Sequence, residues 1–302
     1  MAIKFLATGQ AIMVKTSRSE TPSLAELRAE IDRIDTAMHE LLIERSEIIG
    51  RLIDVKRSSE TGSAFRPARE ADMMRRLVER HRGLLPLDTV ESIWRVIIAT
   101  FTYVQAPFAV HVDLSAGDAT MRDTARFHFG FTVPFRPHPN AAGVVAAVAA
   151  SRGDLGLVPA AMTAGASAWW NALEDKAAPK IIARLPFVER ADHPAGFPVF
   201  AIARPHPEAV IAEVEVWSVK VSGWSAKAAR AAASLAELIA APEGAFDGAA
   251  LLISVPAGKT LDEINAAMVK AGVSIRSQAL VGSHATRYMV TADGARPVPT
   301  GR

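Results

Sequence analysis

The 302-residue sequence contains no cysteine. That absence excludes a disulfide framework, thiolate catalysis and cysteine-ligated zinc or iron–sulfur centres together. A charge excess is also missing: 34 lysines and arginines face 32 aspartates and glutamates, a formal net of +2. Such a balance makes no general polyanion-binding surface, so neither nucleic acid nor a membrane is an expected partner. No run reaches the ~20 apolar residues of a membrane helix. The longest small-apolar stretch, Ala141 to Ala150, is mostly alanine and stops at Ser151-Arg152. The first 22 residues hold only brief apolar runs, broken by Gly9, Gln10 and Lys15, and make a poor secretion signal. They read as a loose tail, and the protein as cytoplasmic. The eight histidines are scattered without a metal-ligand spacing such as His-x-x-x-His, so no metal or other cofactor is expected.

What remains is charge, hydrogen bonding and shape. Half of the residues are hydrophobic, enough for a sizeable core, and the length implies two or three domains. Residues 23–106 are rich in long aliphatic and charged side chains, with Gly50, Gly62 and Gly83 as their glycines. From Pro107 the text turns to Ala, Gly and Pro with short β-branched runs, and it shifts again near Pro205-His206-Pro207. The expected organisation is a tail over 1–22, an all-α domain over 23–106, an α/β domain over 107–207 and an α+β domain over 208–302.

The all-α block reads as three helices. Leu24, Leu27, Ile31, Ile34, Met38, Leu41, Arg45, Ile48, Leu52 and Val55 alternate in steps of three and four, which is a heptad seam. From a Ser23 cap to about Arg57 this helix spans roughly 50 Å. A second helix starts at Pro67, the favoured first helical position, and ends near Gly83. The Asp88-x-x-Glu91 pattern predicts a capped third helix that stops before Pro107, with Val90, Trp94, Ile97, Ile98, Phe101 and Gln105 facing inward. Farther on, strands are predicted at Phe131–Pro134, Asp154–Val158, Ile181–Leu185 and Val199–Ala203, with helices at Ala141–Ala150 and Ala166–Leu173. The last block predicts strands at Val214–Val221 and Ala250–Val255, helices at Ala226–Ala240 and Leu261–Ala271, and a final strand pair at Val273–Ala279 and Thr286–Thr291.

Arg45 occupies a seam position where the heptad asks for leucine. A guanidinium there is costly unless an anion meets it. Eleven residues on, Lys56 returns within about 20° of the same direction. Arg69 and Glu70 open the second helix on the side that Met73, Met74 and Leu77 mark as buried, and Gln105 ends the inward stripe of the third. Taken singly, each is ordinary: a paired core arginine, a solvated lysine, a helix-end amide. Together they describe a dry, positively charged pocket for a small dianion. Arg28 lies about 26 Å from Arg45 along the same helix, farther than one metabolite reaches. To serve the same pocket it must come from a second, antiparallel copy. A helix this long also lacks partner surface within its own block, so an intertwined homodimer answers both demands.

Residues 23–106 resemble the all-helical chorismate mutases. The resemblance rests on SLAELRAEIDRID with Arg28, LLIERSEI with Arg45, IDVKR with Lys56, FRPAREADMMRRL with Arg69 and Glu70, and WRVIIATFTYVQ with Gln105. It implies a cofactor-free isomerase that converts chorismate to prephenate by a [3,3] rearrangement. Arg45 and the second copy's Arg28 would clamp the two carboxylates, with Arg69 in support. Lys56 and Gln105 would donate to the ether oxygen, and Glu70 would orient the ring hydroxyl. Phe101 stands where many relatives carry a small polar residue and would narrow the pocket.

The rest is similar to prephenate dehydratase followed by an ACT module, the order found in fused relatives. ARFHFGFTVPFRPHP, GDLGLVPAA and the approach KIIARLPFVERADHPAGFPVFAIAR carry the dehydratase likeness. The catalytic Thr-Arg-Phe position reads Pro198-Val199-Phe200, and Ala160-Ala161-Met162 stands where Glu-Asn-Ser is expected. The C-terminal LLISVPAGKTLDEINAAMVKAGVSIRSQALVG is similar to an ACT module without its Gly-Ala-Leu and Glu-Ser-Arg-Pro ligand signatures. The expectation is therefore a mutase with a degenerate dehydratase-like region. A bifunctional mutase–dehydratase, a non-catalytic sensor, and a scaffold that removes pyruvate from isochorismate stay open as alternatives.

Overall fold

Ser23 caps the first helix in the way the sequence implies. Its hydroxyl accepts from the Glu26 N–H at 3.2 Å while the Glu26 carboxylate accepts from the Ser23 N–H at 2.7 Å. From there α1 runs over Leu24–Lys56 without interruption. The coordinates are a computed structural model that describes residues 22–56, 65–161, 167–205, 213–242, 248–291 and 294–297. The expected tail before residue 22, Arg57 and Ala166 lie outside them. The structure divides into two compact units, one ending at Leu52 and the other beginning at Ile53.

In the first unit the heptad seam of α1 is not covered. Leu24, Leu27, Ile31, Met38, Leu41 and Ile48 are all close to half exposed or more. These aliphatic side chains form an exposed apolar stripe along α1 at heptad spacing.

In the second unit, α2 (Pro67–Arg80) starts with Pro67 in its first turn and α3 covers Leu87–Gln105. The Asp88-x-x-Glu91 cap does not form: Pro86 is the N-cap, no side chain caps the helix, and Glu91 is buried. The core-facing stripe is Val90, Glu91, Arg95, Ile98, Ala99 and Thr102. It is turned by about one residue from the expected inward face, and Trp94, Ile97, Phe101 and Gln105 are only half-buried.

A parallel βαβαβ run follows: β1 (Val110–Asp113), α4 (Asp118–Phe129), β2 (Phe135–His138), α5 (Ala141–Ala150) and β3 (Leu155–Pro159). The strand expected at Phe131–Pro134 forms a few residues later, as β2. A 3₁₀ turn at Trp169–Leu173, β4 (Lys180–Leu185), the short β5 (Val188–Glu189) and β6 (Val199–Ala203) complete this half. The rest is βαββαβ: β7 (Val214–Ser222), α6 (Ala226–Ala233), β8 (Glu237–Pro242), β9 (Ala249–Val255), α7 (Leu261–Lys270) and β10 (Ser274–His284). Spatially these strands run β10-β7-β9-β8, the ferredoxin-like order.

Two expectations fail in this last part. The helix predicted over Ala226–Ala240 stops at Ala233, and the chain returns as β8 to pair with β9, with Ile239 opposite Leu252. Alanine, leucine and glutamate favour a helix locally, but the pairing with an all-buried strand overrides them. The last two predicted strands do not pair with each other. β10 lies against β7, whereas β11 (Tyr288–Thr291) joins β5 and β12 (Gly294–Pro297) in a separate three-stranded sheet.

Apart from β5, β11 and β12, the strands of residues 107–207 and 208–302 form one nine-stranded sheet, β2-β1-β3-β6-β4-β10-β7-β9-β8. The join is narrow, a parallel step from β4 to β10 in which Gly282 faces Ile181. Gly282 has φ +152, and a Cβ there would overlap the backbone of Ile181. Replacing Gly282 by Ala is therefore expected to cost about 2–3 kcal/mol, read as a fall of roughly 5–10 °C in the melting temperature of the full chain. A wild-type melting curve for Gly282→Ala would show that the two halves do not depend on this contact.

Candidate active site

The six site residues expected from the sequence sit on three helices. Arg28 and Arg45 belong to the first unit, Arg28 exposed and Arg45 half-buried on α1. Lys56 is the last residue of α1, and its side chain lies outside the described atoms. In the second unit Arg69 is exposed in the first turn of α2, away from the buried side that the sequence suggested for it. Gln105 closes α3, where its side-chain amide donates to the Phe101 carbonyl at 3.0 Å.

Glu70 is placed differently. It is buried, and one carboxylate oxygen receives Nη1 of Arg95 at 2.6 Å. Arg95 spends its other donors on the carbonyl of His128 at the end of α4, at 3.2 and 3.0 Å, and its guanidinium lies 5.5 Å from the Phe187 ring. Burial raises the Glu70 pKa and the Arg95 charge opposes that rise. Beside this pair, Arg190 donates to Glu91 at 2.7 Å, and His193 stands 3.4 Å from the same carboxylate oxygen. His128 is buried, and desolvation followed by the charge of Arg95 keeps its imidazole neutral to well below the ordinary range.

Arg95, Arg190 and His193 were not singled out in the sequence, and Glu91 was read there only as part of a helix cap. The available signal was Glu91 and Arg95 one helical turn apart, on the same face as Ile98 and Thr102. Charges on a core stripe require buried partners. A second polar cluster lies on β1 and β2, where His111 Nδ1 is 2.8 Å from His138 Nε2 and His111 Nε2 is 3.1 Å from Asp154. Among the described residues, no group of three or more His, Cys, Asp or Glu side chains has an arrangement that could hold a metal ion.

Residues 27–106 match the family model described as chorismate mutase type II. This segment belongs to that family. The matched stretch contains all six expected site positions. The chain is also 28% identical over 145 residues to a bifunctional chorismate mutase/prephenate dehydratase of Stutzerimonas stutzeri, covering 47% of this chain and 40% of that protein. To the protein so named from Aquifex aeolicus it is 30% identical over 141 residues, covering 45% and 38%. The chain thus spans about two fifths of the length of the curated relatives it matches. Both alignments are longer than the chorismate mutase type II segment and everything before it, so the similarity continues past Gln105. Among solved structures, a prephenate dehydratase from Streptococcus mutans aligns over 59% of this chain and 97% of its own, at 10% identity and a TM-score of 0.34. Among the described residues, no helix is long and apolar enough to cross a membrane.

Proposed function

We propose that residues 23–106 are a chorismate mutase that turns chorismate into prephenate in aromatic amino acid biosynthesis, acting in the cytoplasm without a cofactor. The observation that carries this reading is the family match over residues 27–106, which includes Arg28, Arg45, Lys56, Arg69, Glu70 and Gln105. The chemistry suits these side chains. A pericyclic rearrangement needs no nucleophile and no proton transfer, only a folded substrate conformer and stabilised charge at the breaking ether bond. Arg45 and the second copy's Arg28 hold the two carboxylates, and Arg69 adds to that field. Lys56 and Gln105 donate to the ether oxygen, and Glu70 orients the ring hydroxyl. Gln105 has two side-chain N–H donors, so one can stay on the Phe101 carbonyl while the other serves the substrate. For Glu70 the role requires one carboxylate oxygen to serve the substrate while the other keeps Arg95.

The homodimer belongs to the same proposal. The uncovered seam of α1 and the ~26 Å between Arg28 and Arg45 both support an antiparallel second copy. In this reading 107–207 is a dehydratase-like segment and 208–302 an ACT-like one, attached to the mutase. The changed motif positions at Ala160–Met162 and Pro198–Phe200 weigh against a second, dehydratase activity.

The test is incubation of the full chain with chorismate and chromatography of the products. Prephenate as the product supports the reading. Tight binding without turnover would make the protein a sensor, and phenylpyruvate from added prephenate would make it bifunctional.

A further inference from the structure

The two altered motif positions meet in space. Ala160 follows β3, its N–H bonded to the Pro198 carbonyl, and Phe200 lies on β6 opposite Arg184 of β4. Ala160, Arg184 and Phe200 line one side of a cavity of about 280 Å³. The other side comes from the βαββαβ half: Ala233 at the end of α6, Ile239 on β8 and Leu252 on β9.

Arg184 is largely buried here, its guanidinium 5.7 Å from the Phe200 ring and its Nε without an acceptor. A buried guanidinium N–H with no acceptor is destabilising and is satisfied by an incoming oxygen. Its Nη1 shares Glu237 with Arg287, which also pairs with Glu189 and meets Glu237 at 2.6 Å. Two guanidinium groups thus face two carboxylates. If Arg184 turns toward a ligand, Glu237 keeps Arg287 and no carboxylate is stranded. Burial disfavours the charge on both arginines, so an added anion would be stabilising.

We propose that this cavity binds a small carboxylate with an apolar aryl or branched alkyl body, its carboxylate on Arg184 and its body against Phe200, Ile239 and Leu252. A guanidinium edge matches the planar fork of a carboxylate. A dianion is disfavoured, because Arg184 is the single cation among the described lining residues and the Glu237 carboxylate lines the same cavity. The size is at the small end for ligand pockets, about 300 Å³ and upward, which limits the body to one ring or a short branched chain. The altered motif positions therefore leave a binding site whose far wall is the βαββαβ half.

The experiment is ligand-observed NMR and calorimetry on the full chain with 3-phenylpropionate, alongside its neutral amide, 3-phenylpropionamide. The acid is expected to bind saturably and the amide about tenfold more weakly or worse. Arg184→Gln removes the anchor. Ala233→Phe fills the exposed rim without touching a charge, and each is expected to weaken binding about tenfold or more. No binding of the acid, equal binding of the amide, or undiminished binding by Ala233→Phe would overturn the proposal. If Arg184→Gln fails to fold, the amide and the rim variant still decide. Chorismate plays no part in the measurement, so this inference and the mutase reading stand or fall separately.

Discussion

Replacing Arg45 by Ala is expected to lower chorismate turnover by roughly 10²–10³-fold, the scale set by removal of one preorganised donor from a charged transition state. Arg28→Ala is expected to fall similarly, although ~26 Å of helix separates the two residues. The decisive measurement mixes the two inactive variants after mild unfolding and refolding. In an antiparallel dimer each site combines Arg45 of one copy with Arg28 of the other. A mixed dimer therefore has one site with both arginines and one with neither. With random pairing, half the dimers are mixed and half of their sites are intact, so activity returns to about a quarter of wild type. Recovery to that level places Arg28 in the second copy's site. Mixtures that stay inactive would remove Arg28 from the site. An Arg45→Ala variant with unchanged turnover would remove Arg45.

What the sequence reveals here follows from how local each signal is. α1 was readable because its cap and its seam are both written within a turn or two. Ser23 and Glu26 are three residues apart, and the aliphatic positions repeat every seven. The start of α2 was readable for the same reason, through Pro67. By contrast, whether Glu91 caps a helix or enters the core depends on Arg190, 99 residues away. No local pattern carries that choice. β8 shows the same limit, since residues with helical propensity become strand through pairing with β9. The join of the sheet at Gly282 and Ile181, and the meeting of Ala160, Phe200 and Arg184 around one cavity, are longer-range still. Of the six expected site residues, Arg45 on the seam of α1 and Gln105 at the end of α3 were visible as polar groups on apolar stripes, and Glu70 as a carboxylate on the buried side of α2. The Arg95 partner that Glu70 takes was not.

That partner gives the largest expected effect on stability. Arg95→Met removes the guanidinium that meets the Glu70 carboxylate and two donors to the His128 carbonyl. Breaking one side of a buried pair costs about 3–5 kcal/mol, so the melting temperature of the full chain should fall by roughly 10 °C. Glu70→Gln combined with Arg95→Met should recover much of that loss, because no buried charge is then left alone. The pH dependence carries a sign that a simple packing defect lacks. Burial is the leading cause of the raised Glu70 pKa and Arg95 opposes it, so without Arg95 the folded-state pKa rises further. A raised carboxyl pKa stabilises the fold below the unfolded value and loses that contribution as pH climbs through the folded one. The Arg95→Met deficit is therefore expected to be smaller at about pH 5 than at about pH 8, and the double variant should not share that slope. Equal deficits at both values would mean that Glu70 does not carry the cost. A melting temperature equal to wild type would mean that the pair does not hold α2 and α3 to α4.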